Sequence, residues 1–148
     1  MVYLINVGDA YDYRTLYGTT DFNKAYGRCA QLNKDLAKDF KDREDFRKHF
    51  YGGYQHWIQT IDEMDEDTKT LPMDDVYVHY CIAVTEDNTT YLRAKVVYFE
   101  KWDMRVEKDK FSSNTLTVTG ICLTNVDDDM AEQIALDAVE KYRRENVK

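Results

Sequence analysis

Hydrophobic and polar positions alternate, run together and then space out along this chain in a way that predicts its elements in order. Val2 to Val7 is β-branched and aromatic with no charge, so it reads as a strand. Gly8-Asp9-Ala10 breaks it, and Tyr13 to Tyr17 resumes as a second strand, which predicts a hairpin. Thr19 or Thr20 is a suitable N-cap for a helix. Phe22, Ala25, Tyr26, Cys29, Leu32, Leu36 and Phe40 then recur at spacings of three and four, one face of an amphipathic helix. From Lys34 to Lys48 charges alternate in sign, with Asp39 before Arg43 and Glu44 before Lys48, so this face is read as solvated, with Phe46 and Phe50 buried. Gly52-Gly53 interrupts, and a short helix is expected from Tyr54 to Met64 with Trp57, Ile58 and Ile61 inward.

Residues 62 to 75 change character: seven acids, one lysine and the Leu71-Pro72 pair predict an exposed loop between a helical half and a β half. Val76 to Val84 is apolar on both alternating faces, as a central strand is. Glu86 to Thr89 is a turn. Leu92 to Tyr98 continues as a long strand that bends near Glu100, with alternation persisting to Glu107. Lys108 to Asn114 turns again, Leu116 to Leu123 is another strand, and Asp127-Asp128-Asp129 opens a last helix. That helix carries Met130, Ile134, Ala135, Ala138 and Tyr142 as its apolar stripe and ends in bases. The order β-β-α-α-β-β-β-α predicts a single α+β domain over residues 1–148, with helices packed on an antiparallel sheet.

Composition adds a compartment and excludes some functions. The net charge of −8 argues against direct nucleic-acid binding, which needs a basic surface, and favours either a basic protein partner or solubility alone. Cys29, Cys81 and Cys122 are odd in number, widely spaced and set in apolar stretches, as free structural thiols are. The first residues lack a basic flank with a long apolar run, and no window is apolar enough for a membrane span, so a cytoplasmic protein is expected. His49, His56 and His79 lack metal-ligand spacing, and no C-x-x-C, nucleophile elbow or phosphate-binding loop is present. His79 is expected to be a satisfied strand histidine near Tyr77 and Cys81. No register of residues 62–75 supplies the glycine and glutamate of a calcium-binding EF-hand loop. The reading is therefore of a non-catalytic protein without metal or cofactor.

Residues 3 to 30 resemble a segment of small accessory proteins of bacteriophages and other mobile elements. The likeness rests on Tyr3-Leu4-Ile5-Asn6-Val7-Gly8-Asp9-Ala10-Tyr11-Asp12-Tyr13, with Phe22 and Ala25 in the helix after it. The usual serine of Gly-Asp-Tyr-Ser-Asp-Tyr is missing from this chain, where Ala10-Tyr11 occupies its neighbourhood. The resemblance implies a phage-type accessory protein acting in the host cytoplasm, where such proteins block host proteins, including nucleases of defence systems.

These features support three functional expectations. The first is an inhibitor of a basic host protein, with Tyr11, Asp12 and Tyr13 at the hairpin and Asp62, Glu63, Asp65, Glu66, Asp67, Asp74 and Asp75 in the acidic stretch as partner contacts. The alternative is a small-ligand or nucleotide-binding protein, with Tyr11, Tyr13, Trp57 and Trp102 lining a pocket and Arg14 or Arg93 offsetting phosphate charge. The third is an enzyme on an unrecognised scaffold.

Overall fold

The computed structural model describes residues 1–9, 11–52, 55–61, 69–70, 75–109 and 114–146. Among these it has three helices and nine strands. Strands β1 (Val2–Gly8) and β2 (Tyr13–Thr19) form the expected hairpin. Helix α1 (Phe22–Ala37) comes next, capped one residue later than expected: the Asp21 side chain accepts from the Lys24 amide at 3.1 Å. A carboxylate there also complements the helix dipole, which a threonine hydroxyl does not.

The helical stretch is broken at residues 38–42. Amides of Lys38, Asp39 and Phe40 each bond back three residues, which tightens and ends α1. Asp42 then starts helix α2 (Arg43–Gly52), its side chain accepting from the Asp45 amide at 2.9 Å. Asp39 and Arg43 therefore do not share a helix, and Glu44 pairs with Arg105 at 2.7 Å. Phe46 is buried as expected, while Phe50's side chain lies outside the described residues.

The expected helix over residues 54–64 is instead strand β3 (Gln55–Ile61), paired antiparallel with β1 from Val2↔Ile61 to Gly8↔Gln55. Gln-His-Trp-Ile-Gln-Thr-Ile is rich in aromatic and β-branched residues, and the pairing offered by β1 outweighs a helical spacing supported by three residues. Strand β4 (Lys69–Thr70) pairs with β9 (Asn125–Val126), so this part of the expected loop is tied down. The central strand is β5 (Tyr77–Val84), flanked by β6 (Thr90–Tyr98) and β8 (Leu116–Leu123), with β7 (Arg105–Lys108) beyond β8. Tyr77 apart, every residue of β5 is buried, which is why both of its faces are apolar in sequence. Helix α3 (Asp128–Glu145) begins at Asp127, whose side chain accepts from the Met130 amide at 3.1 Å. It buries Ala131, Ala135 and Val139 and leaves Met130 exposed, so the apolar stripe sits one residue off the expected one.

The main core lies between α1, α3 and the sheets, with Ile5, Ala25, Cys29, Val78, Tyr80, Ile82, Val118 and Val139 fully enclosed. A second cluster of Phe46, Val96, Tyr98 and Trp102 fills the other face of the four-stranded sheet under α2. Gly120 sits at a positive φ of 79° in β8, and a Cβ there would lie 2.0 Å from the Asp103 carbonyl oxygen. Only glycine lets the chain at residues 99–104 cross so close.

Two sheets, β2-β1-β3 and β6-β5-β8-β7, are joined by a side chain. Asn33 of α1 is fully buried. Its Nδ2 donates to the backbone oxygens of Val97 on β6 at 2.8 Å and His56 on β3 at 3.2 Å. Its Oδ1 accepts from the His56 amide at 3.0 Å. The amide group of Asn33 thus takes the place of a main-chain rung between β3 and β6, and satisfies edges that would otherwise be buried without partners. His56 Nδ1 also lies 3.0 Å from Oδ1. Because that oxygen can only accept, the Nδ1 of a neutral His56 carries the proton.

Candidate functional site

The turn between β1 and β2 is built by Gly8 and Asp9. Gly8 has a φ of 130°, and a Cβ there would lie 2.2 Å from the Asp12 carbonyl oxygen. The Asp9 carboxylate accepts from the amides of Asp12 at 2.7 Å and Tyr11 at 2.8 Å, while the Asp9 amide donates to Asp12 O at 3.2 Å. These amides, Asp12's first and Tyr11's second, hold the Asp9 carboxyl below its usual range, so it is ionised at neutral pH. The Asp9 side chain thus makes Asx-type contacts with the Tyr11 and Asp12 amides.

On that tip Tyr11 is 98% exposed, and Asp12 is exposed beside it. Tyr13 begins β2 and packs edge-on against Trp57 of β3, ring centroids 5.0 Å apart, across the intervening β1. Tyr13 remains 44% exposed. On the same sheet face Thr15 donates to Asn6 at 2.7 Å and Asn6 to Gln59 at 3.1 Å, a row of polar links across all three strands. Tyr11, Asp12 and Tyr13 are therefore brought together at one end of the hairpin. Trp57, expected beside Tyr11 and Tyr13 in the small-ligand alternative, joins Tyr13 through that ring contact, from a strand rather than a helix.

The acidic set is placed only in part. Asp62, Glu63, Asp65, Glu66, Asp67 and Asp74 lie outside the described residues. Asp75 is exposed at a turn with a φ of 72°.

Of the four aromatic residues expected to line a pocket, Tyr11, Tyr13 and Trp57 share the hairpin sheet and its turn, but Trp102 is apart from them. Trp102 is buried against Phe46, Tyr98 and His79 on the four-stranded sheet, whereas Tyr13 and Trp57 lie on the other sheet. Arg93 pairs with Asp109 at 3.2 Å. An open surface hollow of about 460 Å³ is lined, among the described residues, by Thr85, Glu86, Asp87, Asn114 and Thr115, which include two acids and no aromatic ring.

A contact that spacing did not reveal joins His79 and Cys122. Their strands are paired at that position, and Nδ1 lies 3.1 Å from Sγ. The sulfur also accepts from the Trp102 amide at 3.4 Å. Tyr77 is a ring neighbour of His79, as expected from the strand. Nε2 of the imidazole is buried and makes no hydrogen bond of normal geometry, with the Glu100 backbone close enough to act on the ring. Burial lowers the His79 pKa to about 3; nearby Arg47 pushes the same way and the Glu100 backbone opposes. Burial also raises Cys122, against the Trp102 amide, Arg47 and Lys101. Both groups are neutral at pH 7, so the pair is a thiol–imidazole hydrogen bond rather than a thiolate nucleophile. Burial likewise pushes Cys81 up to about 12 and raises Cys29 further. Among the described residues no three His, Cys, Asp or Glu side chains gather as a metal site. No helix among them is long and apolar enough to cross a membrane.

Comparison with known protein families, curated proteins and solved structures finds no match. The geometry places an exposed tyrosine ring and an exposed carboxylate on the turn, with the Tyr13–Trp57 ring pair beside them.

Proposed function

We propose that this chain is a non-catalytic binding protein that engages a basic protein through the β1–β2 tip, acting as an inhibitor of the phage accessory type. The observation that carries the reading is Tyr11, 98% exposed on a turn whose backbone amides bond the Asp9 carboxylate. A tyrosine with no core to join adds nothing to folding where it stands. Presented on that turn, it offers contact area at little ordering cost, and tyrosine is enriched among interface hot spots. The charge of −8 steers a basic partner toward the molecule. Within the resemblance of residues 3 to 30, the partner is a host protein such as a nucleic-acid-binding defence nuclease.

The reading is tested by immobilising the protein and passing bacterial lysate over it at low salt. Retention of a basic protein that elutes as salt rises supports it. Retention only of acidic proteins, or salt-insensitive retention, contradicts it.

A further inference from the structure

The two sheets have four outer strands, and three of them are occupied or defended. β3 and β6 are bridged by Asn33. β7 is four residues long and carries Arg105, Glu107 and Lys108, charges that discourage strand addition. β2 is different. It is seven residues long, and among the described residues β1 is its one hydrogen-bonded neighbour. Tyr13 to Gly18 are all exposed, and Thr19 is half-buried. The strand has no proline, no lysine and no acid. Leu16, the extra residue where the register with β1 shifts between Ile5 and Asn6, is 42% exposed, and Tyr17 is 40% exposed. Such an edge offers unpaired main-chain donors and acceptors, and the ligand that matches them is another extended chain.

Charge selects which chain. Asp9 and Asp12 lie before β2 and Asp21 after it, with Arg14 the single charge between. Among the described residues, Asp9 and Asp21 each accept backbone amides through Oδ1 alone. We infer that the β2 edge receives an extended segment of the partner by antiparallel strand addition, a segment with apolar or β-branched residues in the middle and lysine or arginine at its ends. Tyr11 then sits at one end of the added strand, continuous with the tip. This inference rests on the binding role proposed for the tip and adds to it the form of the ligand.

The test uses the whole chain, labelled with nitrogen-15, at low salt. The probe is a seven-residue peptide of alternating threonine and valine with a lysine at each end, alongside a twin ending in glutamates and a backbone N-methylated version. The lysine-ended peptide is expected to slow amide hydrogen exchange within Tyr13–Thr19 and to bind about three- to tenfold more tightly than its twin, the size of two exposed charge pairs. The N-methylated version is expected to lose binding. Equal binding of the two end-charge forms, or full binding by the N-methylated peptide, overturns the inference. So does β2 protection that grows with protein concentration alone, which would make a second copy the occupant. Perturbation confined to Tyr11 and Asp12, with β2 amides unprotected, overturns strand addition while leaving the tip as the binding element.

Discussion

Replacing Asn33 with alanine removes a side chain that links the two sheets, and the structure sets the size of the loss. Asn33 is fully buried and makes bonds of 2.8, 3.2 and 3.0 Å to the Val97 oxygen, the His56 oxygen and the His56 amide. In the Asn33→Ala variant the buried Val97 oxygen and the His56 amide lose these bonds. The His56 oxygen keeps a weaker contact from the Cys29 thiol at 3.4 Å. A buried group left unsatisfied costs about 1–3 kcal/mol. Two such groups, with a small cavity added, amount to about 3–5 kcal/mol. Water reaching half-buried His56 would hold the loss toward the lower end. With a urea m-value of about 1.5 kcal/mol/M, the midpoint falls by about 2–3 M. The assay is urea unfolding followed by tryptophan fluorescence, with Gln31→Ala as control. Gln31 bonds Asp35 at 3.1 Å on the exposed side of the same helix, and its loss should cost less than about 0.5 kcal/mol. A loss below about 1 kcal/mol for Asn33→Ala, or an unchanged exchange rate at the His56 amide, would refute the claim that this amide joins the sheets.

Three further outcomes are expected. The folded chain holds the His79 pKa down at about 3, so only the unfolded chain takes up a proton as pH falls through 6.5. Stability present above pH 6.5 should decline by about 2 kcal/mol by pH 5 from this group alone, and His79→Gln should flatten that slope in urea titrations; an equal slope in the variant rejects it. The thiols of Cys29 and Cys81 are buried and raised in pKa, so a thiol reagent at about pH 7.5 should modify half-buried Cys122 first and all three slowly; rapid labelling of Cys29 or Cys81 in folded protein would contradict this. Gly120→Ala forces a Cβ to within 2.0 Å of the Asp103 carbonyl at a positive φ, so it should lower stability by about 2 kcal/mol or more, seen as a fall in melting temperature, whereas an unchanged value would mean that this crossing can shift freely.

How much of this is legible in sequence depends on periodicity and length. The hairpin, α1, β5, β6, β8 and α3 each carry a long enough pattern to show their period. β5 even announces its central place by being apolar on both faces. β3 is not legible, because Trp57, Ile58 and Ile61 fit a short helix as well as a strand, and only pairing with β1 decides between them. β4 and β9 are too short to carry a pattern. Asn33 carries a readable signal: it falls on the stripe of Phe22, Tyr26, Cys29 and Leu36, where a polar amide among apolar positions asks for a buried partner. His79 and Cys122 lie 43 positions apart and meet only through the β5–β8 register. At the candidate site the turn chemistry of Gly8 and Asp9 is legible, and so is the exposure of Tyr11. That Tyr13 leans on Trp57 is not, because the spacing around Trp57 suits a helix and gives no sign that β3 lies beside β1.

The binding role itself is tested most directly at Tyr11 and Asp12. The double variant Tyr11→Ala/Asp12→Ala leaves Asp9, its turn amides and the Tyr13–Trp57 contact in place. Its melting temperature should therefore match that of the parent chain. Its affinity for the basic protein captured from lysate, measured by calorimetry at fixed salt, should fall at least about thirtyfold, as expected for loss of a tyrosine hot spot worth about 2 kcal/mol. Unchanged affinity, whatever the melting temperature, would contradict the assignment of this tip as the recognition element.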